Sequence, residues 1–294
     1  MSDNAAPIIV GVNGSFVALR AACWAGALAD RLAAPLHIVT ATPYLGYSPT
    51  EATAAIRAAA IAEHREAAEQ ILKATEDAVR REHPGLVITS TAADDPADQA
   101  LAAASRTARL LVMGCEDVTA TGAVLVGSIM LAVLAHAGCP TVAWRGDAAA
   151  PTDQPIVVGV DGSASDGGAL GTAFEFADSL GAPLRVIQSW SLPRPEIDLP
   201  VVIDWDDWEH QQWQHLNQLV EPWRDRYPQV KVTVVCGPVK ASRALLQDAT
   251  DAQLVVVGSR RRNALARGLF GSTSLNLLHH SSVPVVLCPF SADD

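Results

Sequence analysis

The sequence predicts a doubly wound α/β fold in two tandem copies, each built on a five-stranded parallel sheet, and three observations lead there. The chain of 294 residues exceeds a usual single domain of about 100 to 200 residues. Its first half recurs in its second. Within each half, short β-rich runs alternate with longer helical ones, and the short runs are apolar on both sides rather than alternating. That is what a parallel sheet covered by helices on both faces requires.

The repeat decides the architecture. Ile8-Ile9-Val10-Gly11-Val12-Asn13-Gly14-Ser15 returns as Ile156-Val157-Val158-Gly159-Val160-Asp161-Gly162-Ser163. At the same offset, Ala29-Asp30 and Ala34-Pro35-Leu36 match Ala177-Asp178 and Ala182-Pro183-Leu184. Pro84, Gly114, Gly127, Ser128, His136 and Pro140 then fall on Pro228, Gly258, Gly271, Ser272, His280 and Pro284, at an offset shorter by four residues. The second copy is therefore shorter between its second and third strands. Gly146 to Pro155 has no apolar periodicity and is bracketed by Gly and Pro, so it reads as a linker between a domain at 1–147 and a domain at 154–294.

The elements follow in order. In the second copy, strands are expected at 156–160, 184–188, 230–235, 254–257 and 285–287. In the first, 50–81 is free of Gly and Pro, rich in Ala, Glu, Arg and Ile, and stops before Pro84-Gly85, which predicts one long helix. Its counterpart at about 205–227 carries Trp205, Trp208, Trp213 and Trp223, a stripe expected to pack on the sheet or on the other domain rather than stack on a ligand. Pro222 should kink that helix. The closing strands, Thr141 to Trp144 and Val285 to Cys288, end each sheet with an edge that needs pairing or cover.

Composition narrows the function. A net charge of −11 and a pI near 5.1 work against a nucleic-acid partner, which needs a basic face. The five cysteines are odd in number, scattered, and without a C-x-x-C pair, which argues against disulfides or a zinc knuckle and for a reducing compartment. The amino terminus lacks a signal-peptide pattern and no run approaches about 18 apolar residues, so a cytoplasmic protein without a membrane association is expected.

In an open parallel sheet, ligands bind beyond the carboxyl ends of the strands where strand order reverses, so the loops after strands 1 and 4 of each copy are the places to look. After strand 1 of the second copy stands Asp161-Gly162-Ser163, a carboxylate, a turn glycine and a hydroxyl able to cap the next helix. Asp161 either meets a ligand or caps its own turn. After strand 4 comes a loop from Gly258 to Gly271 with Arg260, Arg261, Arg262 and Arg267, leading into a helix that opens Ser272-Thr273-Ser274. Glycines let backbone amides approach closely, and amides plus hydroxyls at a helix amino terminus suit a phosphate chain.

With these residues the chain resembles a tandem universal stress protein of the ATP-binding, UspA-like type. In that family a glycine, two residues, a second glycine, nine residues, and then glycine with Ser or Thr form the signature. Gly258, Gly271 and Ser272 keep that spacing, and so do Gly114, Gly127 and Ser128, but the middle glycine is Arg261 in one copy and Asp117 in the other. The resemblance covers nearly the whole chain. It implies a Rossmann-like sheet, ATP as ligand with Mg2+ as its companion ion, pairing of the two copies as an internal pseudo-dimer through their last strands, and a further homodimer. Carried over by position, the adenosine and phosphate contacts are Asp161, Ile187, Gly258, Gly271 and Ser272, joined by Arg260, Arg261 and Thr273, with Asn13, Val39, Gly114, Gly127 and Ser128 as weaker counterparts in the first copy. Asn13 lacks the carboxylate, and Glu116 with Asp117 would repel phosphates, whereas the arginines of the second copy would neutralise them. Arg261 could equally plug the site. The second copy is thus expected to bind adenine nucleotide and the first to be degenerate.

For an enzyme, no acid, base, nucleophile or metal constellation has convincing spacing; the histidines, His279-His280 and His136 among them, lack matching partners. The acidic run Asp204, Asp206, Asp207 and Glu209 reads as charge at a helix start. P-loop and dinucleotide glycine patterns are absent. Two functions stay open: a nucleotide-responsive regulator of a stress response, at most a slow ATPase, and an interaction scaffold whose sites are empty.

Overall fold

The computed structural model describes residues 6–41, 51–115, 127–163, 166–190, 205–258 and 271–289, and the chain divides into two compact units, Met1–Pro151 and Thr152–Asp294. The first unit runs β1 (Ile8–Gly11), α1 (Phe16–Arg31), β2 (Leu36–Ala41), α2 (Glu51–Glu82), β3 (Ile88–Ala93), α3 (Ala97–Ser105), β4 (Leu110–Gly114), α4 (Ser128–His136) and β5 (Thr141–Trp144). The second repeats it: β6 (Ile156–Val160), α5 (Gly167–Leu180), β7 (Leu184–Ser189), α6 (Trp205–Arg226), β8 (Val232–Gly237), α7 (Ala241–Asp248), β9 (Leu254–Gly258), α8 (Ser272–His280) and β10 (Val285–Cys288). The fold is the doubly wound parallel α/β architecture that the sequence predicts.

In the first unit the strands pair in parallel in the order β3-β2-β1-β4-β5, and in the second the same arrangement is β8-β7-β6-β9-β10. The chain winds outward in one direction from β1 and then restarts on its other side with β4; β6 and β9 stand in the same relation. Central strands are covered on both faces, and their residues are apolar without alternation: Ile8, Val10, Leu111, Val112, Ile156, Val158, Val255 and Val256 have no exposed surface. The outermost strands β3 and β8 alternate half-buried with exposed positions instead, because only one face is covered.

Small residues decide how closely the helices approach. Ala21, Ala22, Ala25 and Ala29 of α1 are fully buried, and a Cβ on Gly26 would lie 2.5 Å from Val79 Cγ1 of α2. A larger residue there would force two helices apart. In the second unit Gly171 of α5 gives the same room to Trp223 of α6, whose ring would lie 2.8 Å from an added Cβ. Trp223 also stacks on the buried Phe174, with centroids 6.0 Å apart.

Two sequence expectations change. The tryptophans of α6 do not form one packed stripe: Trp223 packs, but Trp208 and Trp213 are 41% and 49% exposed, since α6 turns those positions away from the sheet. Val230 is not part of β8; its N–H donates to the Tyr227 carbonyl in the turn that follows α6, and the strand starts at Val232. Helix α6 continues past Pro222 to Arg226, and the long helix α2 lies within a residue of its expected ends.

Candidate functional site

Both strand-1 turns are built alike. The Asn13 Oδ1 accepts from Ser15 N at 3.0 Å, and the Asp161 Oδ1 accepts from Ser163 N at 2.9 Å, so each side chain closes a turn on the backbone two residues ahead. The glycine between them takes a positive φ, +81° at Gly14 and +85° at Gly162, where a side chain would be strained. Asp161 therefore caps its own turn, as the turn-capping alternative expects.

After the turn the copies diverge. In the first, the Ser15 Oγ accepts from Ala18 N at 3.2 Å and caps α1. In the second, α5 begins later; Asp166 precedes the helix, makes no side-chain cap hydrogen bond to it and turns back instead. Its Oδ2 accepts from Asp161 N at 2.9 Å and Gly162 N at 2.8 Å. Asp166 is 6% exposed, and burial, together with the nearby Asp161 carboxylate, pushes its carboxyl up to about 6, against the opposing pull of three backbone N–H groups. His215 of α6 donates through Nε2 to the Gly162 carbonyl at 3.1 Å, and the buried Gln188 lies against the same glycine, its Nε2 2.7 Å from where a Cβ would be. None of Asp166, Gln188 and His215 stands out in the sequence alone. The signal was there at matching positions of the repeat, where the first copy has Ala18, Thr40 and Ile71.

The carried-over positions of the second unit sit as follows. Asp161 follows β6, Ile187 lies in β7 opposite Gly159, and Gly258 ends the adjacent β9. Gly271 is the residue before α8, and Ser272 and Thr273 open that helix. Among the described residues a Cβ at Gly258 or Gly271 would meet nothing within 4 Å, and none of their side chains caps the α8 amino terminus. These features fit a phosphate-bearing ligand. Arg260, Arg261, Arg262 and Arg267 lie outside the described residues.

In the first unit, Asn13, Val39, Gly114 and Gly127 come together on the wall of one cavity of about 230 Å3 at the β1/β4 reversal, while Ser128 opens α4 beside it. The rest of that wall is mostly apolar, with Leu101, Met113, Cys115, Ile129 and Met130 prominent and Ser15 the polar exception among the described side chains. Gly114 is needed for packing: a Cβ there would sit 3.1 Å from Ala18 N and Val17 C. Glu116 and Asp117 lie outside the described residues. The copy that the loop motif marks as degenerate thus has a formed cavity.

No group of His, Cys, Asp and Glu among the described residues is placed to hold a metal ion. Burial pushes the Cys288 thiol up to about 12, against a hydrogen bond with Thr172, and burial with the Glu209 charge pushes that of Cys236 up to about 11, so neither is a thiolate nucleophile at neutral pH. Among the described residues no helix is long and apolar enough to cross a membrane.

The model of the universal stress protein family matches the chain twice, over residues 5–145 and 154–289. A universal stress protein of Mycolicibacterium smegmatis is 30% identical over 288 residues, covering 95% of this chain and 96% of its own. One from Mycobacterium tuberculosis H37Rv is 31% identical over 292 residues, covering 95% of each. Among solved structures, a universal stress protein from Archaeoglobus fulgidus superposes with a TM-score of 0.74 over 96% of this chain and 98% of that one, at 18% identity; that likeness concerns the fold.

Proposed function

The chain belongs to the universal stress protein family, as a tandem-domain member, and from that premise we propose that it binds adenine nucleotide, ATP, in its second domain and acts as a regulatory protein of a stress response. The observation that carries the reading is that, among the described residues, nothing crowds the backbone at Gly258 and Gly271 and no side chain caps the helix that starts with Ser272 and Thr273. Amide N–H groups and hydroxyls at such a helix start stabilise an anion, and Asp161 at the neighbouring strand end offers acceptors to the donors of an adenosine. Arg260 and Arg261 add positive charge in the sequence between the two glycines, which suits a triphosphate carried with its Mg2+. ATP supplies the charge and the group whose presence is sensed; no residue is assigned as a base for its hydrolysis.

A cytoplasmic location, pairing of the two copies through their last strands and a homodimer belong to the same proposal. Mass spectrometry of small molecules released from the purified, denatured protein tests the ligand. Recovery of ATP supports the reading. If no nucleotide is recovered and none binds in calorimetric titration, the scaffold function takes its place.

A further inference from the structure

We propose that the cavity of the first unit is a binding site for an uncharged heteroaromatic ring that presents a hydrogen-bond acceptor to Asn13, a ligand class different from the phosphate-bearing nucleotide assigned to the second unit. The proposal does not depend on that assignment. It rests on a comparison that the repeat itself supplies, because each wall position of the first unit has a counterpart in the second.

Ala18, Ala41, Ile129 and Met130 line the first-unit cavity where the second copy has Asp166, Ser189, Thr273 and Ser274. Cys115 stands where the second copy has Ser259. The backbone frame is shared, and polar side chains of the second copy are replaced by apolar ones. Among the described residues no charged side chain lines the cavity. An anion moved from water into such a wall loses hydration without compensation, whereas a flat neutral ring gains. Met113 and Met130 suit a ring, since thioethers are adaptable and make favourable contacts with aromatic faces and edges. At about 230 Å3 the cavity is just below the range of about 300–1,000 Å3 typical of drug-sized ligands, which favours one ring system over a full nucleoside triphosphate.

Asn13 sets the polarity of recognition. Ser15 N–H is a donor and needs an acceptor, so the Asn13 amide must turn its Oδ1 toward it, as the 3.0 Å contact shows. What this lining side chain has left is its NH2 group, a donor. Asp161 makes the same turn with Oδ1, and a carboxylate has no NH2 donor to offer. The donor that Asn13 keeps is therefore one that the equivalent residue of the second unit does not have.

Inosine is a suitable probe, because its hypoxanthine ring is neutral and carries a carbonyl. Calorimetric titration should show inosine binding to the unmodified protein, with Trp208→Ala, at an exposed position of α6 outside both sites, leaving the affinity unchanged. Asn13→Asp keeps the turn, as Asp161 demonstrates, but removes the donor, and should weaken inosine tenfold or more. Ile129→Trp, at a position that is 48% exposed, should close the cavity without burdening the core and abolish binding. Inosine 5′-monophosphate should bind the first unit less tightly than inosine. No binding of inosine, binding that survives both Asn13→Asp and Ile129→Trp, loss in Trp208→Ala, or a phosphate that tightens binding at the first unit would each overturn the proposal. Failure of the nucleotide reading would appear separately, as absence of ATP binding sensitive to Asp161 and Gly271.

Discussion

Asp166 holds the turn that presents Asp161: its Oδ2 takes hydrogen bonds from Asp161 N at 2.9 Å and from Gly162 N at 2.8 Å. The carboxyl stands at about 6, raised first by burial and then by the Asp161 charge. A carboxyl that is harder to ionise in the folded protein than in the unfolded chain binds its proton more readily when folded. It therefore adds stability at acid pH, and that stability is lost as pH rises from about 4 to about 6. Asp166→Asn keeps an oxygen for both N–H groups and removes the titration. Chemical denaturation at several pH values should show the unmodified protein losing about 1–3 kcal/mol over that window relative to the variant. Parallel pH profiles for the two proteins would refute the assignment.

At the helix ends of the two copies the left-handed position carries a different residue. Ala33, just past α1, has φ +49°, and the equivalent residue after α5 is Gly181 with φ +65°. Both ends close the same way, with Ala34 N bonding to Ala29 O and Ala182 N to Ala177 O, each at 2.9 Å. A left-handed alanine costs about 1–2 kcal/mol, and part of the gain from glycine is offset by the freer unfolded chain. Ala33→Gly should stabilise by about 0.5–1 kcal/mol and Gly181→Ala should destabilise by about the same. Thermal melts of both variants check the pair, and shifts of the same sign would contradict it.

The tryptophans of α6 separate by what they touch. Trp223→Ala removes the stack on Phe174 and leaves a void above Gly171; with the side chain only partly buried, a loss of about 2–3 kcal/mol is expected. Trp208→Ala and Trp213→Ala change exposed positions and should stay within about 0.5 kcal/mol. Denaturant midpoints for the three variants decide this, and equal losses would restore the single packed stripe.

What was legible in the sequence was what repeats. Ile8 to Ser15 and Ile156 to Ser163 set the two starts, and the apolar runs located the central strands because burial on both faces leaves no polar position in them. The direction in which α6 faces its tryptophans was not legible, since residue type alone does not say which side of a helix meets the sheet. Asp166 was hidden for a different reason. It does its work by turning back on residues already passed, a contact set by the late start of α5 rather than by any spacing rule. The first-unit cavity was hidden because loop glycines and charges dominate a motif, while a cavity depends on wall volume, here the small Ala18, Ala41 and Ala97.

The nucleotide proposal predicts an asymmetry between equivalent positions. Asp161→Ala removes the carboxylate at the β6 end, and if that group makes a charge-assisted hydrogen bond to the adenosine, ATP affinity should fall by roughly 1.5–3 kcal/mol, about ten- to a hundredfold. Gly271→Trp puts bulk where an added Cβ now meets open space and should block the approach of phosphates to the α8 amino terminus. Asn13→Ala and Gly127→Trp alter the matching positions of the first unit and should leave ATP affinity within about twofold, because no charged side chain lines that cavity among the described residues and an apolar wall cannot replace the hydration of a triphosphate. Calorimetric titration of ATP into the four variants reads all of this at once. Loss of binding in the Asn13 and Gly127 variants, with Asp161 and Gly271 variants unaffected, would move the nucleotide to the first unit and overturn the assignment.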